Sequence, residues 1–373
     1  MITEARIQPN FESLLEKRAF EKMRREAFDY IARGAGSEAT MQENLFAFSR
    51  WKIRPRVLRN VAHIDMTSTL FKLKLPTPLF FAPIGVQRIA HPDGELATAR
   101  AAEKVNVPLI VSSASSYSME EIANELGNSP RWFQLYCSLE ETVTKSLVER
   151  AEANGYSAIV ITVDTPVLGI RETDARNQYS PLEEGDGCGN YLGDPAFLSL
   201  LDHSPEEDRK AALQKQIDII DQPGLDWNAL KKVREMTSLP ILLKGILHPE
   251  DAKLALENNM DGIIISNHGG RQLDHCIASL DALPDIKNIV QDRIPILLDS
   301  GIRTGVDVFK ALALGADAVL LGRPLIYGLA ANGTEGVINV VHKILHELEI
   351  SMALAGVRTI QEINSDLLFK RER

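Results

Sequence analysis

The chain has 373 residues, 45% hydrophobic and 25% charged, with a formal net charge of −10. That length is ample for one large core, and the acidic balance argues against nucleic acid or an anionic membrane surface as partner, because both require basic patches. Three separated cysteines, Cys137, Cys188 and Cys276, suggest neither a metal site nor a disulfide framework and suit a reducing cytoplasm. No apolar run is long enough to span a bilayer, and the N-terminal stretch lacks the apolar segment of a secretory signal.

In chain order, residues 1–77 come first and read as helical to about Phe48. Eight short apolar runs follow: LFFAP (79–83), PLIVSS (108–113), WFQLY (132–136), AIVITVD (158–164), PILLKG (240–245), GIIISN (262–267), PILLDSG (295–301) and AVLLGRP (318–324). Each is continuous rather than alternating, as expected of strands buried on both faces of a parallel sheet. Helical segments lie between most of them. Val308, Ala311 and Leu312 share one stripe of 305–315, which Gly315 closes, and Val143, Leu147 and Ala151 make the stripe of 141–154.

The runs are spaced near-regularly except between the fourth and fifth, where the gap is far longer. Eight strand–helix units over roughly 250 residues match a (β/α)8 barrel. An open doubly wound sheet is the alternative, disfavoured because no run reads as an edge strand. The expected architecture is therefore α/β: a single domain, 1–373, made of a TIM barrel (78–373), an N-terminal helical extension (1–77) and a long insertion after strand four (173–225). A loop this long is usually a lid or a mobile surface segment. It leaves the C-terminal rim, where barrel active sites lie, so a lid is expected.

Polar and charged residues stand at the end of all the predicted strands but the first. Strand one is followed by Pro83, Ile84 and Gly85; strand two ends in Ser112; strand three carries Gln134 and Tyr136. Strand four carries Thr162 and Asp164, with Arg171 soon after, and strand five ends at Lys244. Strand six leads into SNHGGRQLD (266–274), with Ser266, His268 and Arg271. Strand seven gives Asp299, Gly301 and Arg303, and strand eight Gly322 and Arg323. Chance would scatter such residues over both ends of a barrel.

Glycines beside arginines in DSGIRTG (299–305) and GRP (322–324) suit a phosphate, since barrels often bind phosphate after strands seven and eight. Rim salt bridges are the plainer account of a single arginine there. Lys244 ends an apolar strand, where lysine needs a partner; it could form a Schiff base or stabilise negative charge on a bound ring. Gln134 and Thr162 offer donors and acceptors to the edge of a heterocycle. A phosphate and a heterocycle at one barrel mouth together suggest FMN. His268 is a candidate base, with Asp164 to hold its second ring nitrogen. Arg271 and Arg171 could clamp a carboxylate, and Tyr136 could add a hydroxyl hydrogen bond. For Tyr30 the spacing offers no reason to prefer a function over packing. Cys137 reads as an apolar filler, and Asp274 as a loop cap.

SNHGGRQLD, ITVDTP (161–166), FQLY (133–136), LLKG (242–245), DSGIRTGVDVFKALALGAD (299–317) and GRP together resemble the FMN-dependent L-2-hydroxy acid oxidase and dehydrogenase family, from FDYIARGAG (28–36) to the last helix. The resemblance implies an enzyme that oxidises a small L-2-hydroxy acid, with FMN as cofactor, O2 as electron acceptor and no metal. It implies His268 as the base, Asp164 as its partner, Tyr136 at the substrate hydroxyl, and Tyr30, Arg171 and Arg271 at the carboxylate. Lys244 would stand beside the flavin ring, with Gln134, Thr162, Pro83, Ile84, Gly85, Ser112 and Ser266 as further flavin contacts. Asp299, Gly301, Arg303, Gly322 and Arg323 would hold the ribityl chain and phosphate. It also implies a homo-oligomer, a tetramer or octamer. Gly85 in APIGV and the segment GNYLGDPAF (189–197) are similar to lactate 2-monooxygenase and lean towards L-lactate giving acetate, CO2 and water; an oxidase giving a 2-oxo acid and hydrogen peroxide is the alternative. A barrel isomerase, or a nucleotide dehydrogenase using Cys188 as nucleophile, is the rival class, and neither explains SNHGGRQLD.

Overall fold

The structure is a computed structural model that describes residues 11–71 and 73–371. The start of the expected N-terminal extension, residues 1–10, lies outside the described residues. Eight parallel strands close into a barrel: β1 (Leu79–Phe81), β2 (Leu109–Ser112), β3 (Arg131–Leu135), β4 (Ile159–Thr162), β5 (Ile241–Ile246), β6 (Gly262–Ile265), β7 (Ile296–Leu298) and β8 (Ala318–Leu321). Each pairs with the next in sequence. β8 closes on β1 through Val319 opposite Leu79 and Leu321 opposite Phe81. All eight expected runs are strands, each within about one residue of its predicted start, and all but β5 are shorter at the rim.

The continuous apolar runs divide into two cores by strand alternation. Phe80, Ile110, Trp132, Val160, Leu242, Ile264, Leu297 and Leu320 point inward and fill the barrel. Their strand neighbours, among them Leu79, Phe81, Phe133, Ile161, Leu243 and Ile265, point outward against the helices. A two-stranded hairpin, Ser68–Leu70 and Leu73–Leu75, plugs the N-terminal end with Leu70 and Leu75. Phe71 and Phe80 both pack on Trp132, with ring centroids 5.7 and 4.5 Å away. Function is left to the other end.

The N-terminal extension forms α1 (Phe11–Lys22), α2 (Arg25–Ala32) and α3 (Ala39–Ser49), matching the predicted helical stretch. The outer layer contains α4 (Gly94–Val105), α5 (Met119–Leu126) and α6 (Glu141–Ala153). α7 (Glu172–Asn177), α8 (Pro195–Leu198) and α9 (Arg209–Ile220) come from the long insertion. α10 (Trp227–Met236), α11 (Pro249–Glu257), α12 (Ser279–Val290) and α13 (Gly305–Ala313) follow, then α14 (Arg323–Ala355), which is broken at Asn332 and Gly333. At α13, Thr304 and Asp307 form a reciprocal capping box, which fixes the helix start just after Arg303.

The insertion departs from the expected loop. Besides forming three helices, it is anchored by fully buried side chains: Asn190, Tyr191, Asp194 and Phe197. The Asn190 amide donates to the carbonyls of Ser112 and Ser113 at 3.2 and 3.1 Å and to Ser115 Oγ at 2.9 Å, and its oxygen accepts from Met119 N at 2.7 Å. Arg150 bridges Asp194 at 2.8 Å and Glu120 at 2.9 Å. Breaking a buried pair of this kind costs about 3–5 kcal/mol, so GNYLGDPAF is a fixed wedge under the rim. A glycine- and aspartate-rich stretch read as loop because its one amide and one carboxylate act at long range, which composition does not reveal.

Candidate active site

One step further along each inward stripe, the residues become polar. Ser112, Gln134, Thr162, Lys244, Ser266 and Asp299 occupy the inward positions immediately above the apolar layer of β2 to β7, and all are buried. Alternation thus builds a polar ring on top of an apolar plug. Ser112 Oγ donates to Gln134 Oε1 at 3.0 Å, and Gln134 Nε2 donates to Thr162 Oγ1 at 3.0 Å. Lys244 Nζ donates to Ser266 Oγ at 3.0 Å and lies 3.5 Å from Asp299. Burial weakens the Lys244 charge, but Asp299 and Asp164 outweigh it and hold its pKa above the ordinary lysine value. Lys244 is therefore a cation.

A cavity of about 250 Å³ opens above this ring. Its lining includes Pro83, Ile84, Gly85, Ser112, Tyr136, Lys244 and His268, then Tyr30, Arg171 and Arg271, and also Asp299, Gly301, Arg303, Gly322 and Arg323. Four expected site residues do not line it. Gln134 and Thr162 sit beneath as the hydrogen-bonded pair, Ser266 accepts from His268 N at 3.0 Å, and Asp164 stands behind His268. The insertion reaches the cavity through Leu182, Ile220 and Asp221.

His268 Nδ1 lies 2.9 Å from Asp164 Oδ1, which leaves Nε2 for another partner. Burial holds the imidazole pKa below its ordinary value, outweighing the pull of Asp164, while His268 and Lys244 hold the Asp164 carboxyl below the usual carboxylate range despite its burial. Both directions give a neutral imidazole beside a carboxylate at neutral pH, the protonation state of a base ready to accept.

The two guanidiniums flank the Tyr30 ring, with Arg271 at 4.6 Å and Arg171 at 5.8 Å from its centroid. Arg271 donates to the carbonyls of Tyr30 and of Arg33, the latter at 3.0 Å. Arg171 Nε donates to Arg271 O at 3.2 Å. Burial and the neighbouring Arg171 pull the Arg271 guanidinium down to about 10, so the pair is set to receive an anion. Tyr30, for which spacing gave no reason, is placed by α2. The Tyr136 hydroxyl is kept protonated by burial.

Arg323 donates to the carbonyls of Ile31, Gly269 and Arg33 at 2.9, 2.8 and 3.1 Å. Burial, then Arg271 and Arg303, lower its pKa to about 9. Clustered cations beside the N-terminus of α14 suit a phosphate. Sequence reading missed Ser300, whose Oγ accepts from Gly269 N at 3.0 Å and donates to Asp299 Oδ1 at 2.8 Å. It lies inside DSGIRTG, between two residues that were singled out. Cys188 is buried and its thiol pushed up by burial, and Cys137 likewise. Neither suits a nucleophile. Asp274 is a cap as expected, accepting from Ser37 N at 2.7 Å and Thr40 N at 2.9 Å.

Beneath the turn that follows β1, Glu95 Oε1 accepts from Gln87 N at 2.9 Å and Ser116 N at 3.0 Å. Burial outweighs these donors and pushes its carboxyl up to about 7, from an ordinary 4.5. The folded chain therefore keeps a proton that the unfolded chain releases, and stability falls as pH rises through that window. Glu95→Gln keeps the acceptor and removes the charge. It is expected to stabilise the chain at pH 8, by up to about 3 kcal/mol, and to change little at pH 5. Thermal melts at the two pH values check this, and an equal gain at both would contradict it.

The geometry can be set beside known proteins. The family described as FMN-dependent dehydrogenase matches residues 19–370. An L-lactate oxidase of Lysinibacillus sphaericus is 48% identical over 358 residues, covering 96% of this chain and 92% of that one. 2-Hydroxyacid oxidase 1 of Homo sapiens is 41% identical over 361 residues, covering 95% of each. A crystal structure of mandelate oxidase superposes with a TM-score of 0.85 at 37% identity, covering 96% of this chain and 97% of that one. These matches span both the barrel and the site, so the chain belongs to the FMN-dependent dehydrogenase family and is an FMN-dependent oxidoreductase of the hydroxy acid oxidase group.

Proposed function

We propose that this protein is an L-2-hydroxy acid oxidase acting on a small substrate, L-lactate foremost, as one functional domain. The observation that carries this reading is the His268–Asp164 pair at 2.9 Å in one cavity with the guanidiniums of Arg271 and Arg171. The wall formed by Ala114, Leu168, Leu182 and Ile220 suits a short aliphatic side chain, and Asp221 beside it disfavours a second carboxylate.

The residues present fit FMN. Arg303 and Arg323, with the backbone at Gly301 and Gly322, would hold the phosphate. Asp299 would meet the ribityl chain, and Pro83, Ile84, Gly85, Ser112 and Lys244 would meet the ring, ordered from below by Gln134, Thr162 and Ser266. FMN, when bound, would supply the acceptor for the two electrons lost as the C2 hydroxyl becomes a 2-oxo group with loss of its O–H and C2–H hydrogens, and O2 would be the final oxidant. In this reading Arg271 and Arg171 grip the substrate carboxylate, while Tyr30 sets their spacing and Tyr136 hydrogen-bonds the 2-hydroxyl. His268 Nε2 accepts the proton, and Asp164 stabilises the imidazolium that results. Lys244 offers fixed positive charge where negative charge develops.

Two sequence features lean towards lactate 2-monooxygenase, and both have a packing explanation. A Cβ on Gly85 would lie 2.5 Å from Ala114 O, which accepts from Val86 N at 3.0 Å; the turn needs glycine whatever the fate of oxygen. GNYLGDPAF is the buried wedge described above. With neither selecting the monooxygenase, the oxidase outcome is favoured. Aerobic turnover of L-lactate should yield equal amounts of pyruvate and hydrogen peroxide by NMR and a peroxidase-coupled assay. Acetate and CO2 formed in place of free peroxide would assign the monooxygenase.

A further inference from the structure

His268, Gly269 and Gly270 follow one another with φ of 58°, 67° and 75°. Three successive left-handed residues are rare, and for histidine the conformation costs energy that surrounding contacts must offset. Ser266 and Ser300 take the first two amides of this turn. The third, Gly270 N, is shared between Asn267 O at 3.0 Å and Asn267 Oδ1 at 3.1 Å. Asn267 is itself held by a residue remote in sequence. Asn44 Nδ2 donates to Asn267 Oδ1 at 2.8 Å, and Asn267 Nδ2 donates to Asn44 Oδ1 at 2.7 Å. Both asparagines are buried, at 2% and 3% exposure. Asn267 Nδ2 also donates to Ile277 O at 3.1 Å, and Asn44 Oδ1 accepts from Ser279 N at 3.3 Å. The Asn267 amide thereby has all its donors and acceptors matched.

We propose that Asn44, on α3 of the N-terminal extension, is a positioning residue for the reaction: its reciprocal amide pair with Asn267 fixes the left-handed turn that presents His268 and Arg271. α3 is wedged where it can do this. A Cβ on Gly270 would lie 2.7 Å from Met41 Cα, and one on Gly301 would lie 2.5 Å from Asn44 O, so the helix abuts the loops after both β6 and β7. The pair also gives a buried asparagine on a helix from outside the barrel a full set of partners. Without Asn44, the Asn267 amide loses one donor and one acceptor and keeps only Ile277 O and Gly270 N as partners, so the side-chain bond that reinforces the turn is held less firmly. Displacements of about 1 Å at a reacting group can cost on the order of 100-fold in rate.

This inference rests on the hydroxy acid oxidase reading, and its test separates the two. In the FMN-loaded Asn44→Leu variant, the limiting rate of anaerobic flavin reduction by L-lactate should fall roughly 10- to 100-fold, with a higher KM, because base and carboxylate clamp share the turn. Oxalate, which needs the clamp and not turnover, should bind at least tenfold more weakly by flavin difference spectra. Asn44→Ser, which keeps a small polar group facing Ser279 N but does not span to Asn267, should show the same losses and serves if Asn44→Leu does not fold. A residue that only stabilises the fold would lower Tm and leave rate, KM and oxalate affinity unchanged; that result, within twofold of wild type, overturns the proposal. Wild-type protein that binds oxalate but is reduced by no small L-2-hydroxy acid would overturn the functional reading instead, with the oxalate comparison still deciding the role of Asn44.

Discussion

His268→Gln is expected to fold, to retain FMN and to lose reduction by L-lactate, with a fall of about 10²- to 10⁴-fold in the reductive rate. Gln can still hydrogen-bond, but it cannot take a proton near neutral pH. FMN retention is expected because the groups assigned to its phosphate, Arg303 and Arg323, and Lys244 beside its ring are left in place by the substitution. The pH profile of the wild type follows from the same geometry. Burial holds the imidazole below its ordinary value, so the base is present at neutral pH, and activity should fall only as pH drops below the usual histidine range. Stopped-flow reduction of wild type and variant checks both statements. A variant reduced at the wild-type rate would remove His268 from the role of base.

Arg271→Lys should raise KM for L-lactate and lower kcat/KM by roughly 30- to 700-fold, a loss of about 2–4 kcal/mol. Lysine keeps the charge but not the planar fork. It also cannot both reach a substrate carboxylate and hold the carbonyls of Tyr30 and Arg33, which anchor Arg271 to the N-terminal extension. Because a carboxylate is gripped in ground and transition states alike, most of the loss should fall on KM. Steady-state kinetics with L-lactate measure it, and an unchanged KM would place the carboxylate elsewhere.

Much of this was legible in the sequence because a parallel barrel writes its strands as short apolar runs and sends their ends to one rim. Lys244, His268 and Arg323 could be nominated for that reason. The division of labour within the rim was not legible. Gln134, Thr162 and Ser266 share one inward layer with Ser112, Lys244 and Asp299, and the hydrogen bonds that link members of this layer cannot be read from strand spacing. Tyr30 and Asn44 belong to helices outside the barrel, and no local period connects them to SNHGGRQLD; only the tertiary fold brings α2 and α3 against that loop. The 173–225 insertion, which holds GNYLGDPAF, was read as a lid from its length and its exit at the rim. Asn190 and Asp194 instead satisfy buried partners on β2, α5 and α6, and that satisfaction depends on residues far away in the chain.

The claim on which the rest depends is that His268, Arg271 and Arg171 deliver an L-2-hydroxy acid to FMN in this cavity. Anaerobic addition of L-lactate to the purified, yellow holoprotein tests it most directly. Full bleaching of the flavin absorbance, with one pyruvate formed per flavin and no bleaching by D-lactate, is the predicted result. A flavin that stays oxidised with L-lactate and with every other small L-2-hydroxy acid would contradict the account.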